Sequence, residues 1–280
     1  MAQPASRWAD IPTYEPEPVI SLDAQMIREY DAPEARQGVA VDEEYLYAVV
    51  NNVIAKYRKD TGERVGRWIG PRGGLIRHLN SCFAEAGELW CANSNFPETP
   101  MASSVEVFNA ESMTHARSHS LGLLDEGSLT FFDHLGAGWI AGYAHYDEVG
   151  GLAYKDHSFA GVVVYDAEWR RTGGYALPQS VRDRMAPHAA SGGAIGPDGL
   201  LYLFGHDRPE MYVLARPTMG PVLIHVATIN IDAAGQAFAW DRSADRVLYA
   251  INRSTGVVRS FSIPVIPLTG DDAQRFDAAE

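Results

Sequence analysis

The stretch SGGAIGPDGLLYLFGHD, residues 191–207, shows the pattern that decides the fold. Two short apolar strands flank a Gly-Pro-Asp-Gly turn, and the second strand is centred on Leu201-Tyr202 and ends at His206. Turn residues between two apolar runs predict a β-hairpin. The same pattern recurs in four other stretches: QGVAVDEEYLYAVVNN (37–52), NSCFAEAGELWCANSN (80–95), SLTFFDHLGAGWIAGYAHY (128–146) and GQAFAWDRSADRVLYAINR (235–253).

A third strand follows most of these hairpins, as at residues 53–57 and 105–108, and a fourth follows a turn, as at 64–68. The units recur at intervals of about 40 to 60 residues, which is the spacing of propeller blades. The sequence therefore predicts an all-β protein, a five-bladed β-propeller with four-stranded antiparallel blades. Six blades stay possible if residues 147–190 contain another unit.

The last unit lacks an outer strand of its own. Residues 19–27 are predicted to supply it, so that an N-terminal strand closes the last blade and covers an exposed edge. No linker rich in Gly, Pro or Ser divides the chain. We expect an N-terminal extension at 1–18, a single propeller domain at 19–267 and a polar C-terminal tail at 268–280.

Composition excludes several classes of partner. The net charge of −13 disfavours nucleic acid and anionic membrane surfaces, and a small molecule is the expected partner. No run of about 18 apolar residues is present, so no segment is expected to span a bilayer. Cys82 and Cys91 are predicted to be buried, inert thiols, compatible with a reducing compartment. Because residues 1–18 show no signal pattern, a cytoplasmic location is expected.

Propeller topology predicts on which face of the molecule each polar loop residue lies. Loops that lead into the innermost strand of a blade lie on the same face as loops that leave its second strand. This places His78, His145 and His206, from three blades, at one channel mouth together with Gln37 and Gln236. Neutral imidazoles suit Zn²⁺, Mn²⁺ or Fe²⁺, and an amide oxygen would complete the metal site. Alternatively, these histidines only form hydrogen bonds within the channel lining.

Other side chains fall on the same face. Tyr146 and His188 are candidate general bases, and Arg77 is a candidate for orienting a substrate carboxylate, although a surface ion pair is its plain alternative. Asp207 and Arg253 lie on this side without an assigned role. The candidate substrate-binding residues are Asn80, Asn93, Asn95, Ser191, Arg208 and Asn252.

Several runs resemble a group of bacterial propellers described as "cycloisomerase-like": RHLNS (77–81), LWCANSNFPETPMASSVEVFN (89–109), GSLTFFD (127–133), SGGAIGPDGLLYLFGHDRPEMYVL (191–214) and GQAFAWD (235–241). The chain is also similar in size to the five-bladed glutamine cyclotransferase group, whose diagnostic motifs it does not match. The relatives carry histidine where this chain has Asn93. By analogy with metal-dependent propeller lyases, the resemblance implies a site of three histidines and an amide.

The expected function is that of a metal-dependent lyase or isomerase acting on a small oxygenated, carboxylated substrate in the central funnel. One alternative is a metal-dependent hydrolase such as a lactonase. Another is a non-catalytic binding propeller. The sequence alone does not specify the oligomeric state.

Overall fold

The computed structural model describes residues 17–276, apart from residues 124, 150 and 234. In this part of the chain the backbone forms the five predicted blades, each built on four antiparallel strands, around a common axis. The prediction of an all-β, five-bladed propeller is confirmed. Among the described residues, no helix is long and apolar enough to cross a membrane.

The strands follow one another along the chain, and the longest connections between blade strands are residues 145–160 and 177–191. In chain order they are β1 (Ile20–Asp23), β2 (Gln25–Asp31), β3 (Gly38–Val41), β4 (Tyr45–Val50), β5 (Val53–Arg58), β6 (Arg64–Ile69), β7 (His78–Glu85), β8 (Glu88–Ser94), β9 (Ala102–Asn109), β10 (Thr114–Leu123), β11 (Ser128–Leu135), β12 (Gly138–Ala144), β13 (Gly161–Tyr165), β14 (Arg171–Ala176), β15 (Gly192–Ile195), β16 (Leu201–Phe204), β17 (Glu210–Pro217), β18 (Ile224–Asn230), β19 (Phe238–Trp240), β20 (Val247–Asn252), β21 (Val257–Ser262) and β22 (Ala273–Gln274). One α-helix, α1 (Gln179–Met185), lies between blades three and four, and a 3-10 turn at His157–Phe159 lies within blade three, between β12 and β13.

Strands β3–β6, β7–β10, β11–β14 and β15–β18 form blades one to four, and β19–β21 form blade five with β2. Strand β2 pairs antiparallel with β21, with Gln25 opposite Ser262 and Asp31 opposite Val257. An N-terminal strand therefore closes the last blade, as predicted, but at Gln25–Asp31 rather than at 19–27. The preceding strand β1 pairs in parallel with β18 on the outer edge of blade four.

The C-terminal segment does not behave as a polar tail. Ala273 and Gln274 pair with Pro217 and Arg216 of β17, and Phe276 is buried in the interface between blades three and four. Apolar packing holds these residues against the propeller, while residues 277–280 of the predicted tail lie outside the described part. Of the predicted N-terminal extension, only Glu17 and Pro18 are described.

The core consists of five apolar clusters, one at each interface between neighbouring blades. Phe131 shows how closely blades three and four approach. A Cβ atom at Gly142 would lie 1.9 Å from the Phe131 ring, and one at Gly193 would lie 2.7 Å from it. Only glycine at these two positions leaves room for the ring, which covers Gly142 within blade three and meets Gly193 of blade four across the interface.

Cys82 and Cys91 lie opposite each other on β7 and β8 and are joined by a disulfide, with their Cα atoms 4.1 Å apart. Both residues are buried, as predicted, but they are not free thiols. The short Ala86-Gly87 turn, in which both residues have positive φ, brings the two strands into this register. Because disulfides persist mainly in oxidising compartments, the cysteines do not support the predicted cytoplasmic location.

Candidate functional site at the channel mouth

The strongest polar network of the described mouth joins blades four and five. Its members are His188, which precedes β15, His206 and Asp207, which follow β16, and Arg253, which follows β20. These are the loop positions that the sequence places on one face. We call these four residues the mouth network.

Asp207 is the centre of the mouth network. Its Oδ2 accepts a hydrogen bond from His188 Nδ1 at 2.7 Å, and its Oδ1 accepts one from His206 Nδ1 at 2.6 Å. The two imidazole rings stack with their centroids 4.1 Å apart. Although burial alone would raise the pKa of Asp207, the hydrogen bonds from both histidines hold that pKa below its usual value. The carboxylate therefore stays ionised and fixes both rings.

Arg253 determines the tautomer of His206. Its Nη1 lies 2.6 Å from His206 Nε2, and because a guanidinium only donates, Nε2 must be the acceptor. The proton of His206 is then on Nδ1, where it is donated to Asp207. Burial, followed by the charges of His188 and Arg253, lowers the pKa of His206 despite the opposing effect of Asp207. His206 is thus a neutral residue with both ring nitrogens engaged.

His188 has a different pattern. Its Nδ1 donates to Asp207, and its Nε2 has no hydrogen-bond partner among the described residues. An aspartate that holds one imidazole nitrogen leaves the other to exchange protons with a ligand. With about a third of its side chain exposed, His188 is reachable from the mouth.

Tyr146 connects the mouth network to a recess beneath it. The ring packs edge-on against His188 at 4.8 Å and against His206 at 5.7 Å, and the hydroxyl lies 3.2 Å from Ser191 Oγ. Burial raises the pKa of Tyr146, so its phenol stays protonated. The recess, which we call the mouth recess, is lined by His78, Asn80, Phe96, Ser128, Thr130, Ala144 and Tyr146.

Two polar side chains of the mouth recess are informative. His78 Nδ1 lies 3.1 Å from Asn51 Oδ1, and burial together with the charge of Arg253 lowers the pKa of His78 to about 4. His78 is therefore neutral at pH 7. Asn80 is 4% exposed, and its Oδ1 has no hydrogen-bond partner among the described residues. Such an atom is satisfied by water or by a ligand.

The structure does not bring the predicted metal ligands His78, His145 and His206 together as one group. His145 is 1% exposed and its Nε2 lies 2.9 Å from the carbonyl oxygen of Glu126, in the loop before β11. Among the described residues, these three histidines do not form a group in which all the ligand atoms lie within 4.8 Å of one another. Gln236 is buried at the start of blade five with a positive φ, and its amide has no side-chain hydrogen bond to a described residue. The Zn²⁺, Mn²⁺ or Fe²⁺ ion expected there thus lacks this ligand set.

Atoms of His188, His206 and Asp207 do lie within 4.8 Å of one another. A metal on Nδ1 of His206 would leave the ring proton on Nε2, where it would face the donor of Arg253 at 2.6 Å. The side chains of the mouth network are therefore better arranged to form hydrogen bonds with one another than to bind a metal ion together.

Arg77 lies apart from the mouth network. Its Nη1 donates to Glu98 Oε2 at 2.8 Å and its Nε donates to the carbonyl oxygen of Gly74. The plain alternative of a surface ion pair is therefore what the structure shows. Arg208 is exposed and makes no side-chain hydrogen bond to a described residue.

Three predicted substrate-binding asparagines have structural contacts instead. Asn93 Oδ1 accepts the backbone N–H groups of Arg77 and His78, both at 3.1 Å. Asn95 holds its own loop through Ala102 N at 2.8 Å, and Asn252 accepts from Ser254 Oγ at 2.7 Å in the turn after β20. Asn and Asp side chains often stabilise turns in this way, which sequence position does not distinguish from ligand binding. Of the other candidates, Asn80 and Ser191 contact or line the mouth recess.

Asp207 and Arg253 are the two residues whose roles the sequence does not reveal. Each follows a second strand of its blade, and this position is a usable signal. What makes them important is the direction of their hydrogen bonds, which depends on the packing of blades four and five.

A larger cleft lies elsewhere, on blade three, with Tyr143 and Tyr175 in its lining. Its charged groups are already paired, since Lys155 contacts Asp125 and Arg171 contacts Glu126. These ion pairs leave no charged group unmatched for a ligand. The mouth is therefore the better candidate despite its smaller volume.

No family model matches the chain, and no curated protein matches it. Solved structures that resemble it include a chain of the "Crystal Structure of Mitotic Checkpoint Complex", with 11% identity, a TM-score of 0.48, and coverage of 94% of this chain and 99% of that chain. The "Structure of U3-55K" has 10% identity, a TM-score of 0.45, and coverage of 81% and 80%. The "Crystal structure of RRP9 WD40 repeats" has 10% identity, a TM-score of 0.43, and coverage of 80% and 79%. At such identities the likeness concerns the fold alone.

Proposed function

We propose that this propeller binds a small carboxylated molecule at its channel mouth. The observation that carries the proposal is the placement of Arg253, which uses one side-chain hydrogen bond among the described residues, to His206. An arginine has five N–H donors in a planar fork that matches a carboxylate. Its remaining donors are thus left for a ligand.

The surroundings of Arg253 support an anion. His78 and His206 are neutral, so the positive charge that would face a bound acid comes from Arg253. Asp207, the carboxylate of the mouth network, is engaged by two histidines. The mouth recess has a volume of about 10 Å³, so Asn80 and the Tyr146 hydroxyl, which lies beside Ser191, have room there for about one water molecule next to the ligand.

Of the functions expected from sequence, the binding propeller is the one that this arrangement favours. The metal-dependent lyase or isomerase and the metal-dependent hydrolase both require an ion at the predicted histidine centre, and Nε2 of His145 is engaged by the carbonyl oxygen of Glu126 instead. The resemblance to cycloisomerase-like propellers agrees with a small molecule as the ligand. Proton transfer by His188 would not need that metal centre.

The test is a binding measurement with pyruvate, 2-oxobutyrate, 2-oxoglutarate and succinate, by ligand-observed NMR and titration calorimetry. We expect at least one acid to bind with a Kd of about 1 mM or lower. Arg253→Gln should weaken that binding roughly 10- to 100-fold, the usual effect of losing hydrogen bonds to a charged group.

Arg77→Gln is the matched control, because Arg77 is paired with Glu98 outside the mouth network. Its Kd should equal that of the unmodified protein. Absence of binding for all four acids, or equal weakening by both substitutions, would contradict the proposal.

A further inference from the structure

We infer that His188 is the general base for proton transfer on a bound oxo acid and that Asp207 is its positioning residue. This inference rests on the proposed carboxylate site at the mouth and names what happens to the ligand there. The geometry that supports it is the hydrogen bond from His188 Nδ1 to Asp207 Oδ2 at 2.7 Å, with Nε2 left open.

The other imidazoles of the mouth are poorer bases. Both nitrogens of His206 are engaged, by Asp207 and by Arg253. His78 has no carboxylate partner, and its Nδ1 contacts the amide oxygen of Asn51. Of His78, His188 and His206, only His188 combines an aspartate on one nitrogen with a second nitrogen that has no partner among the described residues, which is the arrangement that orients a base.

The donor set also limits the substrate class. A carbon acid needs a group that accepts the electron pair left by the departing proton. A carboxylate without a metal accepts it poorly because it is already anionic, whereas a neutral ketone accepts it as an enolate. The substrate class that fits is therefore a carboxylate with a nearby carbonyl, an oxo acid.

The step balances without any other reactant. The C–H bond next to the ketone breaks, its proton forms an N–H bond at His188 Nε2, and the electron pair moves to the ketone oxygen. Arg253 holds the carboxylate and offsets the developing negative charge. His188 then returns the proton to the same carbon or, in a conjugated acid, to another carbon of the enolate.

The experiment follows exchange of substrate protons for deuterium by ¹H NMR, using pyruvate, 2-oxobutyrate and 2-oxoglutarate with the full chain in D₂O. We expect an acid that binds to exchange faster than in buffer alone. His188→Gln should lower the protein-dependent exchange about 100-fold or more, within the usual range for general acid–base catalysis. His119→Gln, an exposed histidine on blade two, is the matched control and should exchange like the unmodified protein.

Asp207→Asn tests the positioning role. It should slow exchange at least about 10-fold and also change the pH dependence of the rate, which a purely structural loss would not do. The groups that face His188 in this measurement are Asp207, His206 and Tyr146, with Arg253 beyond His206. Circular dichroism checks folding, and His188→Asn is the second variant if His188→Gln does not fold.

Two results separate this inference from the proposed function. If an acid binds but does not exchange above the rate in buffer, or exchanges equally in His188→Gln, the inference is overturned and the binding site stands. If none of the acids binds, the proposed function fails and the inference fails with it.

Discussion

The disulfide between Cys82 and Cys91 depends on the register in which β7 pairs with β8. Cys82 and Cys91 are nine positions apart and face each other across β7 and β8. A shift of the hairpin by one residue would turn the two side chains to opposite faces of the blade. The Ala86-Gly87 turn fixes the register, and the disulfide follows from it.

We predict that the isolated, unreduced protein takes up no iodoacetamide label when it is denatured, and takes up two labels after reduction. A loop of this length corresponds to roughly 2–3 kcal/mol of stabilisation, so replacing both cysteines by serine should lower the free energy of unfolding by that amount. Mass spectrometry measures the labels and urea titration the stability. Two labels without a reductant would show that the thiols are free.

The sequence predicts which residues lie at the channel mouth better than it predicts what each of them does there. Tyr146, His188 and His206 are placed on the correct face by the strand pattern alone, because loops at the ends of equivalent strands share a face. The strand pattern does not predict that the cysteines form a disulfide or that Arg253 donates a hydrogen bond to His206. Both depend on distances of a few ångströms across strands or blades, which periodicity does not contain.

At the scale of elements, strand β2 joins the two ends of the chain. Tyr30 is its one buried residue, and it packs in the cluster that joins blade five to blade one. Its hydroxyl lies 3.5 Å from that of Tyr249. Closure of the ring therefore depends strongly on one aromatic side chain.

Tyr30→Ala is expected to destabilise the protein by about 3 kcal/mol, as for other buried aromatic truncations. Met26→Ala on the same strand is the control. Since Met26 is 55% exposed, its substitution should change the stability by no more than about 0.5 kcal/mol. Urea denaturation measures the stability of both variants. Equal losses of stability would indicate that packing of Tyr30 is not what holds β2 in the ring.

The sequence predicts a closing strand but misplaces it, and the reason is local. Residues 19–27 are moderately apolar throughout, yet the chain passes from blade four to blade five at Ala24, whose N–H donates to the carbonyl oxygen of Asn230 at 2.9 Å. Only Tyr30 is buried on β2, so this strand lacks the alternation of apolar and polar residues by which a strand is recognised in a sequence. The hairpins of the blades have several buried residues each and are predicted well.

At the scale of the whole molecule, five interfaces of similar composition close the ring and bring distant loops together. His188 and Arg253 are far apart in the chain, and the packing of blade four against blade five places both beside His206 and Asp207. The functional proposals depend on this convergence. They require no feature outside the described part of the chain.

The pKa of His206, followed by ¹⁵N NMR of histidine-labelled protein, tests this convergence most directly. Arg253 lowers that pKa and Asp207 raises it. Arg253→Gln should therefore raise the pKa of His206, and Asp207→Asn should lower it, each relative to the unmodified protein. Opposite shifts from these two substitutions would support the mouth network, whereas an unchanged pKa in the Arg253→Gln protein would contradict it.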